Sequence, residues 1–274
     1  ILITQPIFMG GAITAANRMA KISEQLADNS IENSRQSTIY ETDKAYWLVV
    51  SLKQKQRLAD SYLDLVKKLH SDVEKMVNDG IATKADGLKV AVKVNEAEMA
   101  KQKVDDGLTL AKMLLCQICG IDINGDITLA DEDNEDIAAT TAVSDINKEE
   151  AFENRTELKM LQNTIDISKE NTKLVRAAYL PKVAAMGGYM MSNPCLYNGF
   201  ERKFSGMFHV GVVVQVPVWS WFEGRYKMNA TKAATNIAQM ELNDAQEKIE
   251  LQINQTSFQT REARKRLSMA EKNI

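Results

Sequence analysis

The stretch AITAANRMAKISEQLADNSIENSRQSTIYETDKAYWLVVSLKQKQRLADSYLDLVKKLHSDVEKMVND, Ala12 to Asp79, runs for 68 positions without a glycine or a proline. A helix of that length spans roughly 100 Å at 1.5 Å per residue. Globular helices run about 8–20 residues, so a longer pattern points to a coiled coil or an extended helical assembly. The chain's four prolines, Pro6, Pro181, Pro194 and Pro217, all lie elsewhere, in or beside short apolar segments.

Within the run, Ala59, Tyr62, Val66, Leu69, Val73 and Met76 alternate spacings of three and four, the signature of a heptad seam. The first half carries a weaker stripe, Ile13, Ala16, Met19, Ile22 and Leu26, expected to meet different partners. The segment Asn78-Asp79-Gly80-Ile81-Ala82-Thr83 ends the run. Gly80 suits a left-handed C-terminal cap, and Thr83 an N-cap for the next helix. That helix is expected over Lys84–Cys119, with a seam at Val94, Ala97, Lys101, Val104, Leu108, Ala111, Leu115 and Ile118. Lys101 interrupts the seam, its stem lying along it and its ammonium reaching out. Two heptad helices joined by a short turn predict an antiparallel hairpin.

Residues 121–150 are acidic and irregular and read as a solvated linker. Asp122, Asn124 and Asp126 alternate as in a calcium loop, but Ile127 and Asp133 stand where that loop needs glycine and glutamate. A third helix is expected over Lys148–Tyr179, then strands over Pro181–Ser192 and Phe208–Trp219 around a turn-rich loop. A last helix runs from Arg225 to the end. Along the second strand Val210, Val212, Val214, Val216 and Val218 form one apolar face. The other face is of mixed polarity, an alternation that fits a strand between lipid and a channel or a strand of an ordinary soluble sheet. The opening strand, Ile1 to Phe8, begins abruptly, so the sequence reads as a piece of a longer protein.

Composition narrows the function. Net charge is −3 over 274 residues and both signs are mixed along the helices, so no nucleic-acid surface is indicated. No run of 18 apolar residues exists to form a transmembrane helix, a test that does not bear on a β-barrel. Two isolated histidines, His70 and His209, with no glycine-rich phosphate loop, argue against an enzyme and against any cofactor or metal. Cys116 and Cys119 form C-x-x-C on a helical pattern and read as small apolar residues near a helix end rather than a redox pair.

An internal repeat remains. ILITQPIFMGGAITAANRMAK and VVVQVPVWSWFEGRYKMNATKAA each pass from a β-prone run through glutamine, proline, a large apolar residue and glycine into a long breaker-free helix. The repeat makes the helix after Gly224 the expected neighbour of the first helix's upper half. With this repeat, the turn Val77-x-x-Gly80-Ile81-x-x-x-x-Asp86-x-Leu88, Asn154-Arg155-Thr156-Glu157-Leu158 and Arg176-Ala177-Ala178-Tyr179-Leu180-Pro181, the chain resembles the TolC-like outer-membrane efflux proteins along essentially its whole length. The family often has proline where Thr156 stands.

The resemblance implies a mainly α fold. Very long antiparallel coiled-coil helices would form an α-barrel tunnel, and a few strands would belong to a trimeric transmembrane β-barrel. The chain would divide into a strand end (1–11), a tunnel hairpin (12–120), an acidic equatorial linker (121–150), an ascending helix (151–180), a strand pair (181–219) and a second descending helix (220–274). It implies a homotrimer in outer-membrane lipid with a large periplasmic part, working with a periplasmic adaptor and an inner-membrane transporter. The adaptor-docking tip would be Asn78, Gly80, Ile81, Ala82, Thr83, Lys84, Asp86 and Leu88. The alternative is a periplasmic coiled-coil adaptor, which should show a lipoyl-like β domain beside its hairpin, or a scaffold without channel activity, which would not need the strands.

Overall fold

The computed structural model describes residues 1–125, 127–133, 148–195 and 199–272. Strand β1 (Leu2–Met9) leads into α1 (Ala12–Asn78), a continuous helix of 67 residues, and α2 (Lys84–Cys119) returns. After α3 (Lys148–Asn154) and α4 (Thr156–Ala177) come β2 (Lys182–Ser192), β3 (Ser205–Gln215) and α5 (Glu223–Glu271). No helix among the described residues is long and apolar enough to cross a membrane. The chain forms two compact units, Ser34–Ala142 and the remainder, and the division falls within α1.

In the unit Ser34–Ala142, α1 and α2 lie antiparallel. Ala45 and Val49 pack with Leu108, Ala111 and Leu115, flanked by Leu52 and Ile118. Polar pairs continue along the hairpin: Gln56 Nε2 donates to Asp105 Oδ1 at 2.6 Å, Lys101 pairs with Asp60, and Lys67 Nζ lies 2.9 Å from Glu98. Asp60 raises the Lys101 ammonium's pKa above its ordinary value, chiefly through their hydrogen bond and then through charge attraction. Lys101 therefore interrupts the apolar seam by bridging it.

The α2 seam is the expected one, each member buried or half-buried. The α1 seam is not. Leu63 and Val66 are buried and Ala59, His70, Val73 and Val77 half-buried, whereas Tyr62, Leu69 and Met76 are exposed. The expected list merged two stripes. Leu58, Tyr62, Leu65, Leu69 and Met76 form a second apolar row on the outside of the hairpin. Farther up, Ala15 rather than Ala16 lies in the half-buried row with Met19, Ile22 and Leu26.

The acidic segment is a strap rather than a solvated linker, as far as it is described. Tyr46 Oη donates to Asp131 Oδ2 at 2.7 Å, Lys112 Nζ donates to the Ile127 carbonyl at 2.7 Å, and Arg57 pairs with Asp133. Glu132 is buried, with Lys112 Nζ 3.2 Å from its Oε1. Burying a carboxylate is tolerable only when it is paired. Ile127 and Leu129 cover the hairpin core. Asp122 Oδ1 accepts from the Asn124 amide at 3.1 Å, closing a local turn. Asp126 and residues 134–147 lie outside the described residues. Cys116 is buried and Cys119 exposed, and they are not bridged.

In the other unit the expected helix over Lys148–Tyr179 is two helices. Arg155 has an extended backbone, φ −67° and ψ 115°, and α4 starts at Thr156, the first-turn position at which proline is favoured. No proline marks the break, so periodicity ran straight through it. Leu158 and Ile165 of α4 interlock with Ala238, Leu242, Ile249 and Ile253 of α5. Among the described residues the upper half of α1 makes its polar contacts with α4: Thr156 Oγ1 lies 3.0 Å from Asn33 Oδ1, and Arg18 4.0 Å from Glu170. Helix α4 is thus the near neighbour of α1, correcting the expectation drawn from the repeat.

The sheet is antiparallel in the order β1-β2-β3. Strand β3 starts before Phe208 and stops at Gln215, two residues short of Pro217, whose missing N–H cannot serve a ladder. Register places Tyr189, Gly187, Ala185 and Val183 opposite Phe208, Val210, Val212 and Val214 on one apolar face, and all four of those β3 residues are exposed. The opposite face carries Lys182, Met186, His209 and Gln215. Its glycines are lids for neighbours: a Cβ on Gly188 would lie 2.5 Å from the His209 ring. Both outer strands have an unpaired edge among the described residues.

Candidate functional site: the hairpin tip

The tip is built from two helix ends that cap themselves. At the end of α1 the chain reverses at Gly80, φ +73°. The Gly80 amide donates to the Val77 carbonyl at 3.2 Å and the Ile81 amide to the Met76 carbonyl at 2.8 Å. These are the two bonds of a Schellman closure, which satisfies carbonyls the helix leaves open. A side chain at Gly80 would meet nothing within 4 Å, so glycine is required there by backbone conformation alone.

Three residues after Gly80, Thr83 caps α2. Its Oγ1 accepts from the Asp86 amide at 3.3 Å, and its own amide donates to Asp86 Oδ2 at 3.3 Å. This reciprocal capping box satisfies two donors that the first turn would otherwise leave open. Thr83 Oγ1 also lies 2.6 Å from Asp86 Oδ2, and Lys89 Nζ 3.1 Å from Asp86 Oδ1. The Thr83 hydrogen bond, followed by Lys89, holds the Asp86 carboxyl below its ordinary 3.8. The carboxylate also sits at the positive end of α2. Gly87 brings this turn against α1: a Cβ there would lie 3.7 Å from the Val77 side chain.

What the turn leaves free is apolar and polar, with charges of both signs. Ile81 is 77% exposed and Leu88 69%, more than almost any core-type residue of the hairpin. Asn78 and Lys84 are exposed and Ala82 half-exposed. The residues singled out from sequence therefore fall into two sets: Gly80, Thr83 and Asp86 shape the turn, while Asn78, Ile81, Lys84 and Leu88 face outward. Lys89 and Gly87 were missed. Thr83-x-x-Asp86 is itself a capping-box signature, and it would have drawn attention to Lys89 one turn along. The outward-facing apolar residues are Ile81 and Leu88, with charges of both signs, Asp79 and Lys84, exposed beside them.

Residues 148–274 match the family model described as outer membrane efflux protein. No curated protein matches the chain. Among solved structures it is similar to the outer-membrane channel OprN, with 15% identity and a TM-score of 0.76 over 92% of this chain and 56% of that one. It is similar to the outer membrane protein VceC of Vibrio cholerae, with 14% identity and a TM-score of 0.72 over 90% and 58%. It is also similar to the CmeC outer membrane channel of Campylobacter jejuni, with 13% identity and a TM-score of 0.72 over 89% and 52%. The chain spans little more than half the length of these structures, and at such identity the likeness is one of fold.

Proposed function

With residues 148–274 falling in the outer membrane efflux protein family, we propose that the chain supplies part of one protomer of a trimeric outer-membrane efflux channel, a passive conduit running on into a helical periplasmic tunnel. The carrying observation is the sheet. Its exposed row of Phe208, Val210, Val212 and Val214 has no place in water, and its unpaired edges call for further strands. For strands, only a closed barrel satisfies every backbone group within lipid. An adaptor or a soluble scaffold has no use for that face.

The exposed second row on α1, from Leu58 to Met76, supports assembly into a tunnel wall. One seam closes the hairpin and the other is left for a neighbouring copy, as a coiled-coil stave requires. Energy for transport comes from an inner-membrane transporter, reached through a periplasmic adaptor that docks on the tip. The exposed Ile81 and Leu88 set into the adaptor's helical groove, with Lys84 at the rim.

The channel reading is tested on the full-length protein by its oligomeric mass in detergent and its single-channel conductance. A trimer with steady conductance is expected, and a monomer without conductance overturns the reading. Docking is tested separately by Gly80→Pro and Lys84→Glu. Both should lower cross-linking to the adaptor and efflux in cells while the trimer persists. Unchanged cross-linking and efflux in both variants would remove the tip from the interface.

A further inference from the structure

Met186, Met190, Met207 and His209 come together on the sheet face opposite the apolar row. Register pairs Met190 with Met207 and Gly188 with His209. Alternation sets Met186, Gly188 and Met190 in one row on β2, with Met207 and His209 beside them on β3. Gly188 is what joins the group. A Cβ there would lie 2.5 Å from Cε1 and 2.8 Å from Nε2 of His209. The imidazole therefore lies across β2 in the gap that glycine leaves, its tip between Met186 and Met190. Each of those stands about 7 Å along the strand from Gly188, within reach of a long, unbranched side chain. Met186 leans toward β3, its Cγ 4.0 Å from where a Cβ on Gly211 would be.

The ring presents one nitrogen. Nδ1 is buried without a hydrogen-bond partner, so Nε2 is the nitrogen that a ligand can reach. Met186, Met207 and His209 are half-buried and Met190 is exposed. No Asp, Glu or Cys occurs in β1, β2 or β3. The nearest charge on this face of β2 is Lys182, roughly 13 Å along the strand from Met186.

From this arrangement we infer a binding site for a soft monovalent cation, cuprous or silver, held by His209 Nε2 and the thioethers of Met186, Met190 and Met207. Thioethers and imidazole bind as neutral ligands, and thioethers select soft ions. Neither has to lose a proton, and one positive charge is all that such a neutral set must hold. Calcium and magnesium need oxygen ligands, which these side chains do not supply. Zinc takes several thiolates, imidazoles or carboxylates, and here there is one imidazole. His209 is isolated in sequence, but pairing of two strands gives it three sulfurs as neighbours. The site's role rests on the channel reading: with the apolar row toward lipid, this face lines the lumen. Three copies then set three soft sites around the export path.

The test uses the full-length protein in detergent carrying Cys119→Ser, because an exposed thiol competes for the same ions. Methionine methyl groups are labelled with carbon-13, and silver nitrate or zinc chloride is titrated in. The methyl signals of Met186, Met190 and Met207 should shift together and saturate at one silver ion per protomer, while zinc leaves them in place. Met190→Leu removes a sulfur at nearly constant volume and should weaken silver by about ten-fold or more. Gly188→Ala removes no ligand but fills the gap under the imidazole, and it should weaken silver comparably. If that variant does not fold, Met190→Leu, at an exposed position, carries the test. Silver that shifts methionines throughout the chain without preference overturns the site. So does zinc binding as tightly as silver, or a silver affinity unmoved by Met190→Leu. A conducting trimer with any of those results loses only this inference. A monomer without conductance that still takes up one silver ion loses the channel and keeps the site.

Discussion

The chain passes from strand to long helix twice, and the two passages solve one geometric problem with opposite residues. At β1–α1 the left-handed positions are Gly10 and Gly11; at β3–α5 they are Trp221 and Phe222, φ +48° and +62°. Glycine takes that backbone region freely, whereas a side chain there costs about 1–2 kcal/mol per residue. At the first junction the space is needed as well: a Cβ on Gly10 would lie 2.7 Å from the Ala177 carbonyl oxygen. At the second the close approach has moved to Gly224, against the Tyr179 ring. The two turns therefore divide the work differently. One turn is chosen for fit, and the other gives up backbone ease for two exposed aromatics at the edge of an apolar sheet.

The sharpest way to break this contrast is Gly10→Ala. Left-handed strain of about 1–2 kcal/mol and overpacking of about 1–3 kcal/mol should sum to roughly 3 kcal/mol of lost stability in denaturant titration. Gly11→Ala, with open space around its Cβ, should cost only the conformational part. Equal losses for the two variants would show that packing on α4 does not distinguish the first junction. The tip supplies a third reversal for reference. There Thr83→Ala should cost about 1 kcal/mol, the usual worth of an N-cap, read as faster amide exchange in the first turn of α2.

A smaller effect of opposite sign is expected from Trp221→Asn. Asparagine tolerates the left-handed region, so stability in detergent should hold or rise by up to about 1 kcal/mol, while Trp fluorescence quenching by brominated lipid falls. A clear loss of stability instead would mean the aromatics hold the turn together. The smallest effect is on pH. Asp86 titrates below its ordinary 3.8 in the folded tip. Its contribution is whole above that value and is lost as pH falls through the lowered one. Exchange at the start of α2 should therefore accelerate below about pH 4 in the native protein, and this step should be smaller in Thr83→Ala, where only Lys89 still holds Asp86.

The parts legible in the sequence were those with a local chemical marker. Gly80 and Thr83 bracketed the tip because a left-handed cap and an N-cap each demand particular residues, and α2 runs over the expected Lys84–Cys119. The break at Arg155 was hidden because Thr156 stands in a position where proline would have announced it. The α1 seam was misassigned for a different reason. Two apolar rows lie side by side there, and periodicity reports a row without saying what covers it. Tyr62 and Leu63 are neighbours in sequence, yet one faces out and the other in. Charge density made residues 127–133 look solvated, while the cations that hold them, Arg57 and Lys112, lie on two other segments. Of the tip, sequence could identify the residues that bend the chain, because bending is local. Which residues stay exposed depends on tertiary packing.

The two rows on α1 also determine what a stability measurement on this protein means. Val66 is buried within its own chain, so truncating it should lower stability at any concentration. Leu65, one residue back, is 64% exposed and in the proposed trimer is covered only when another copy arrives. Its contribution obeys mass action: it grows with protein concentration and disappears on dilution. Adjacent residues on one helix thus belong to processes of different molecularity. A melting curve recorded at a single concentration would add them together without distinction.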